Sequence, residues 1–264
     1  MARYTEEQIE SFVDTFRRDG FVVLPRQFEP ARLRAWADNF APLFDRHVAA
    51  QGHLKNRGEG RYYITLPFVK PWADPAIFED DDVLAVVEKV AGKDFVMCQL
   101  ATDTPVRGSQ YQEIHRDTPA LFPELPKETP SFQIAVNFPL CDVTLENGAI
   151  EIARGTHSMV RAEAVAKLES GAVKLEPFPM QLGDVMIRDV RGLHRGTPNR
   201  TETPRPMCVI GYSRKWLKRP EVSIQIPDQT WDRLSERARR LLRLEQRVRT
   251  LAESTNEVYQ SFAY

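Results

Sequence analysis

The sequence predicts an α+β fold that is mainly β, with helices packed on the outside of a β core. Three observations carry this. Residues 1–92 are dominated by helical periodicity, residues 93–215 break into short apolar runs separated by Pro, Gly, Asn and Asp, and residues 216–264 return to helical spacing. Strands of that length and spacing suggest a sandwich or barrel, and segregated helices and strands suggest α+β. With 264 residues and 42% hydrophobic content the chain can bury one sizeable core, so a single domain with those three parts is expected.

In chain order, the first helix opens on a capping box of Thr5 and Gln8 and carries Ile9, Phe12, Val13 and Phe16 on one face. Gly20 is its expected stop. Phe21 to Leu24 reads as a strand ended by Pro25. A second helix puts Leu33, Trp36, Ala37, Phe40 and Phe44 on its apolar side, with Pro42 expected to kink or shorten it. Residues 51–60 read as a loop, and Asp81 to Val90 as a weaker third helix. Five strand-like runs follow: Phe95–Leu100, Phe132–Pro139, Ala149–Ile152, Asp184–Ile187 and Met207–Tyr212. Near the end, Leu234, Ala238, Leu241, Leu242 and Val248 form one helical stripe. Arginines from Arg237 to Arg249 fill most of the rest, and read as a solvated face.

Lys plus Arg is 36 and Asp plus Glu is 37, a net charge of −1. That balance gives no global electrostatic argument for nucleic acid or membrane. Cys98, Cys141 and Cys208 are too widely spaced for a disulfide framework or a zinc finger and read as buried thiols. The start, MARYTEEQIE, has no apolar signal region, and no run approaches the roughly 18 apolar residues of a membrane span. The chain is expected to be soluble and cytoplasmic, with a small molecule rather than nucleic acid as its partner.

Chemistry concentrates in few residues. The stretch YQEIHRDTP holds His115 and Asp117, and residues two apart on a strand point to the same face. An imidazole and a carboxylate so placed can reach one metal ion. The pair alone means little: at this composition His-x-Asp arises by chance about 0.3 times. Support comes from GDVMIRDVRGLHRGTPNRTETPRPM, where a Gly183-Asp184 turn and an apolar run lead to His194, and Arg205 opens the next run. Two histidines and one carboxylate leave three metal positions open, which suits Fe(II) oxygen chemistry. A structural zinc site closes its coordination instead. His157 is the rival distal ligand, while His47 and His53 read as solvated. Asn137, between apolar neighbours, needs a partner or lines a pocket. Tyr62 and Tyr63 read as core or rim.

The order of these pieces, HRD at 115–117, ENGAIEIARGTHS at 146–158, GD at 183–184, His194 and then Arg205, resembles the phytanoyl-CoA dioxygenase family of iron(II)/2-oxoglutarate-dependent dioxygenases. The similarity runs from the N-terminal helix to about Tyr212. It implies a double-stranded β-helix (jelly-roll, cupin-like) core with flanking N-terminal and C-terminal helices. It implies Fe(II) held by His115, Asp117 and His194, with 2-oxoglutarate as co-substrate and O2 as oxidant. It implies that Arg205 pairs with the distal carboxylate of 2-oxoglutarate, a good match for a planar, permanently charged fork. Gln112 and Arg61 are further co-substrate contacts implied by parts of the family. The implied reaction oxidises a C–H bond of a small molecule and releases succinate and CO2. Related halogenases have a small residue in place of the carboxylate, so Asp117 argues for hydroxylation, or for desaturation, epimerisation or ring formation.

Two departures from the family pattern stand out. Arg154-Gly155-Thr156-His157 replaces the usual Pro-Gly-Ser-His. Gly196 replaces a small hydroxyl residue two after the distal histidine, so one co-substrate hydrogen bond is either missing or supplied by Thr197. Two other functions use the same ligands: a metal-dependent hydrolase, which has no use for Arg205, and a non-catalytic cupin-like binding protein.

Overall fold

The computed structural model describes residues 2–51, 58–218 and 223–251. His53 and most of the expected 51–60 loop lie outside them. Helix α1 spans Glu6–Asp19, capped by the expected Thr5–Gln8 box and stopped by Gly20. It leads into β1 (Phe21–Leu24). Helix α2 (Pro30–Gln51) runs on through Pro42, which neither ends nor shortens it. Pro42 faces solvent, where water can take the place of the missing N–H donor. Next come β2 (Arg61–Thr65), the short α3 (Pro75–Phe78) and α4 (Asp81–Ala91).

The expected β region holds β3 (Phe95–Pro105), β4 (Gln133–Pro139), β5 (Ile150–Ala153), β6 (Leu175–Phe178), β7 (Val185–Asp189), β8 (His194–Arg195) and β9 (Met207–Arg214), with α5 (Arg161–Glu169) inserted before β6. Among the described residues, a six-stranded sheet runs β1-β7-β4-β9-β3-β2 and a three-stranded one β6-β5-β8. All pairings within both sheets are antiparallel. The division expected at residue 93 does not separate helices from sheet, because β1 and β2 form both edges of the larger sheet.

Period-two alternation gives this sheet two different faces. Ile134, Val136 and Phe138 of β4, Val185 and Ile187 of β7, and Ile210 and Tyr212 of β9 point toward α1, α2 and α4 and join Val13, Phe16, Trp36, Phe40 and Val87 in the main core. The intervening residues, Gln133, Ala135 and Asn137, Met186 and Arg188, Met207 and Val209, line a cavity on the opposite face. Between the sheets Phe21, Ile152, Met180, Met186 and Met207 form a second apolar cluster, closing the sandwich beside that cavity.

The C-terminal part is not the single long helix expected. It contains α6 (Asp228–Trp231), α7 (Glu236–Leu241) and a parallel pair, β10 (Gln225–Pro227) with β11 (Gln246–Val248). Val248 therefore belongs to a strand. The arginines also have local partners: Arg237 with Asp81, Arg243 with Asp94 and Arg247 with Asp228. They dock the tail onto α4 and its neighbours as well as meeting solvent. Among the described residues no helix is long and apolar enough to cross a membrane. Cys98, Cys141 and Cys208 are free thiols.

Candidate active site

His115 and Asp117 sit on an extended segment rather than a regular strand. Backbone bonds fix them all the same: His115 exchanges two with His194 (3.0 and 3.1 Å), and the Asp117 N–H donates to Val190 O at 2.9 Å. His194 opens β8, held to β5 by pairing opposite Ile152. The alternating segment sends Arg116 the other way. Its guanidinium reaches Glu128 at 2.7 Å and donates to the carbonyls of Thr156 and Met159. Glu128 also takes Arg191, from the loop before His194, and Arg191 makes a buried pair with Asp189. One ionic cluster thus grips both the segment carrying His115 and Asp117 and the one carrying His194 from behind.

The three side chains converge. Nε2 of His115 lies 3.7 Å from Asp117 Oδ1, and Nε2 of His194 lies 3.6 Å from the same oxygen. One ligand atom from each residue falls within 4.8 Å of the others. The Nδ1 of His115 faces Glu113 O at 2.7 Å and that of His194 faces Gly192 O at 2.9 Å. Each carbonyl can only accept, so each Nδ1 carries the proton and each Nε2 presents its lone pair to the centre. Burial alone would raise the Asp117 carboxyl, but the Arg188 guanidinium, bonded to Oδ2 at 2.7 Å, holds it well below the usual carboxylate range. Two neutral imidazoles and a carboxylate, close together and nearly buried, fit a divalent cation with open positions. His157, the rival ligand, is elsewhere: its ring packs against Gly20 and Phe16.

Arg205 is buried on the cavity wall. One Nη donates to Gly148 O at 2.9 Å, and its Nε has no partner among the described residues. The ENG turn explains this contact. Asn147 and Thr144 bond each other's backbone, and Gly148 takes φ of 101°, which turns its carbonyl toward Arg205. Burial, reinforced by nearby Arg61, lowers the Arg205 guanidinium to about 10, still charged at neutral pH. A buried, under-partnered cation at the wall of a cavity is a receptor for an anion.

Arg61 and Gln112 meet at Gly196. Arg61 pairs with Asp103 at 2.7 Å and donates to Thr197 O at 2.8 Å. Gln112 accepts the Gly196 N–H through Oε1 at 2.9 Å. A Cβ at Gly196 would lie 2.6 Å from both side chains, so the space of the hydroxyl residue usual in the family is filled here by a guanidinium and an amide. Thr197 does not substitute, since its hydroxyl donates to Ala149 O at 2.8 Å. The other departure keeps its turn. Gly155 is left-handed, and Thr156 Oγ1 accepts the Leu193 N–H at 2.8 Å, bracing the residue before His194.

Sequence reasoning missed Arg188 and the Arg116–Glu128–Arg191–Asp189 cluster. Charges inside the apolar run IRDVRG were the available signal. Asn137 lines the cavity and accepts from Arg188 Nε at 3.0 Å. Tyr62 joins the core, while Tyr63 faces the cavity with Gln99.

Solved structures share this fold. The epimerase SnoN from nogalamycin biosynthesis aligns at 18% identity over 79% of this chain and 83% of its own, with a TM-score of 0.56. AviO1 from Streptomyces viridochromogenes Tue57 aligns at 20% identity over 80% and 96%, with a TM-score of 0.58. HygX from Streptomyces hygroscopicus, with nickel, 2-oxoglutarate and hygromycin B bound, aligns at 19% identity over 87% and 94%, with a TM-score of 0.57. At these identities the likeness is one of fold, the double-stranded β-helix expected from the sequence. A family model described as phytanoyl-CoA dioxygenase matches residues 16–207. The chain belongs to the phytanoyl-CoA dioxygenase family, whose cofactors are Fe(II), 2-oxoglutarate and O2, and is a 2-oxoglutarate-dependent non-haem iron enzyme.

Proposed function

We propose that this enzyme hydroxylates a C–H bond of a small molecule, with His115, Asp117 and His194 as the iron ligands and Arg205 as the anchor of 2-oxoglutarate. Gln112 and Arg61 complete the co-substrate wall, and the described chain works as one catalytic unit. The observation that carries the reading is the pairing of a three-ligand centre with Arg205, a buried cation lacking a carboxylate partner in the same cavity. A hydrolase needs the first and not the second.

Iron bound here would supply O2 activation and the oxidation of co-substrate and substrate. The protein's own residues do the positioning. Glu113 and Gly192 hold the histidine tautomers through their carbonyls. Arg188 keeps one Asp117 oxygen occupied, leaving Oδ1 for the metal. Arg205 and Arg61 orient a dicarboxylate, and Met180, Met186, Met207 and Val209 supply apolar lining to the same cavity. SnoN is an epimerase and SnoK, a second enzyme of nogalamycin biosynthesis with this fold, a carbocyclase, so the fold admits other outcomes. We assign hydroxylation among these outcomes; Asp117 leaves no halide position, which argues against halogenation.

The test is succinate release from 2-oxoglutarate with Fe(II) and O2 across a panel of small molecules, with products analysed for an added oxygen. Release that rises with one panel member and vanishes in His115→Ala supports the reading. Release that persists in His115→Ala, or a product without added oxygen, refutes the site or the outcome respectively.

A further inference from the structure

Arg188 does more than its bond to Asp117 requires. It lies on β7 facing the cavity, 8% exposed. Its Nε donates to Asn137 and one Nη to Asp117, but the other, Nη1, is buried with no partner among the described residues. Buried guanidinium N–H groups are rarely left so, because the lost hydration is costly.

Arg188 lines the cavity together with the small residue beside it on the sheet, Ala135. Arg188 pairs across the sheet with Ala135, Ala135 with Gly211, and Gly211 with Gln99. Gln99 lies over Gly211, with its Cβ 2.8 Å from where a Gly211 Cβ would stand, so the small residue that borders the cavity next to Arg188 is Ala135. Met180, Met186 and Met207 stand beside it, and such side chains repack readily around an apolar body.

Charge bookkeeping points the same way. Among the described residues lining the cavity, the permanent charges are Arg61, Arg188, Arg205, Asp103 and Asp117, a surplus of one positive. A divalent metal raises the surplus to three, and the two carboxylates of 2-oxoglutarate lower it to one. Arg61 is paired with Asp103 and Arg205 is assigned to the co-substrate, so the remaining charge falls on Arg188. Water at Nη1 would satisfy its hydrogen bond but leave that charge uncompensated in a largely buried site.

We propose that Arg188 is a substrate-anchoring residue and that the molecule oxidised is a small carboxylate with an apolar body, its anionic group held by Nη1 beside the metal. This rests on the 2-oxoglutarate reading above. One arginine thus orients the metal's carboxylate and the substrate's together, and a neutral amide of the same shape is discriminated against.

The experiment uses the full chain loaded with Zn(II), which cannot turn over, and saturated with 2-oxoglutarate. Phenylacetate and phenylacetamide are titrated by calorimetry as a matched pair. The acid is expected to bind at least about tenfold tighter in the wild type. Arg188→Met should abolish the preference and Arg188→Lys restore part of it. Equal affinity for acid and amide in the wild type, or a preference surviving in Arg188→Met, overturns the proposal while leaving the co-substrate reading intact. Failure of the wild type to bind 2-oxoglutarate overturns the co-substrate reading and the charge argument with it. Because Arg188→Met also frees Asp117, a wild-type crystal structure with Zn(II), 2-oxoglutarate and phenylacetate gives an independent answer. The carboxylate should lie within hydrogen-bond distance of Arg188 Nη1; a carboxylate bound elsewhere overturns the assignment.

Discussion

A methyl group at Gly196 tests how tightly this wall of the cavity is built. Its carbon would lie 2.6 Å from Cζ and one Nη of Arg61 and 2.6 Å from Oε1 of Gln112. Ordinary contact needs roughly 3.5 Å, so the guanidinium and the amide must each retreat by about 1 Å. The φ of Gly196 is not in the left-handed region, so backbone strain adds nothing. Overpacking of this kind costs about 1–3 kcal/mol. Displacing Arg61 also strains its bond to Thr197 O, a buried charge-assisted contact worth about 1.5–3 kcal/mol if lost outright. We expect Gly196→Ala to destabilise by about 2–4 kcal/mol, where an unhindered Gly→Ala would stabilise slightly. The assay is urea unfolding of the wild type, Gly196→Ala, Arg61→Ala and the double variant. Removing Arg61 clears one of the two obstructions and leaves Gln112, so Gly196→Ala should cost at least about 1 kcal/mol less in that background. If its cost is the same in both backgrounds to within about 0.5 kcal/mol, the two residues are not coupled and the packing argument is wrong.

Three further outcomes follow from the geometry. Arg205→Gln should weaken 2-oxoglutarate binding about 100-fold, measured by calorimetry on Zn(II)-loaded protein, and leave metal content unchanged. Thr156→Val removes the acceptor for the Leu193 N–H and the donor to Ala153 O, so it should cost about 1–3 kcal/mol in chemical unfolding and loosen metal binding through His194. Burial holds the His157 imidazole below its ordinary range, so it is neutral when folded and takes up a proton on unfolding in acid. Its contribution is present above the unfolded value of 6.5 and is lost as pH falls through the lower folded value. The Tm should drop between pH 7 and pH 5, and less steeply in His157→Gln; equal slopes would exclude His157.

How much of this was legible depends on how local each signal is. His115, Asp117, His194 and Arg205 were readable because one short motif and two spacings encode them, and the fold brings them to one cavity. Asn137 was readable as an anomaly in an apolar strand, though its partner, Arg188, is on β7 and could not be named from position. Strand β2 was missed as an element even though RYYIT is rich in strand-forming residues, because it follows a polar stretch that reads as loop. The tail misled for the opposite reason. Its arginines mimic a solvated helix, but Asp81, Asp94 and Asp228 bind them, and the chain turns after Leu242 to pair Gln246–Val248 with Gln225–Pro227. Such long-range partners leave no trace in spacing. The ionic cluster behind the ligands is similar: Arg116 is visible inside HRD, but its partner Glu128 is defined only by the fold.

The central claim is that His115, Asp117 and His194 hold one Fe(II) to which 2-oxoglutarate binds with Arg205 at its far end. An anaerobic titration of Fe(II)-loaded protein with 2-oxoglutarate, followed by the visible charge-transfer absorption of the chelate, tests it most directly. The wild type should develop the band and saturate at one equivalent, Arg205→Gln should require far more co-substrate, and His115→Ala should develop none. A wild type that takes up Fe(II) without forming the band, or a His115→Ala variant that forms it in full, would contradict the account.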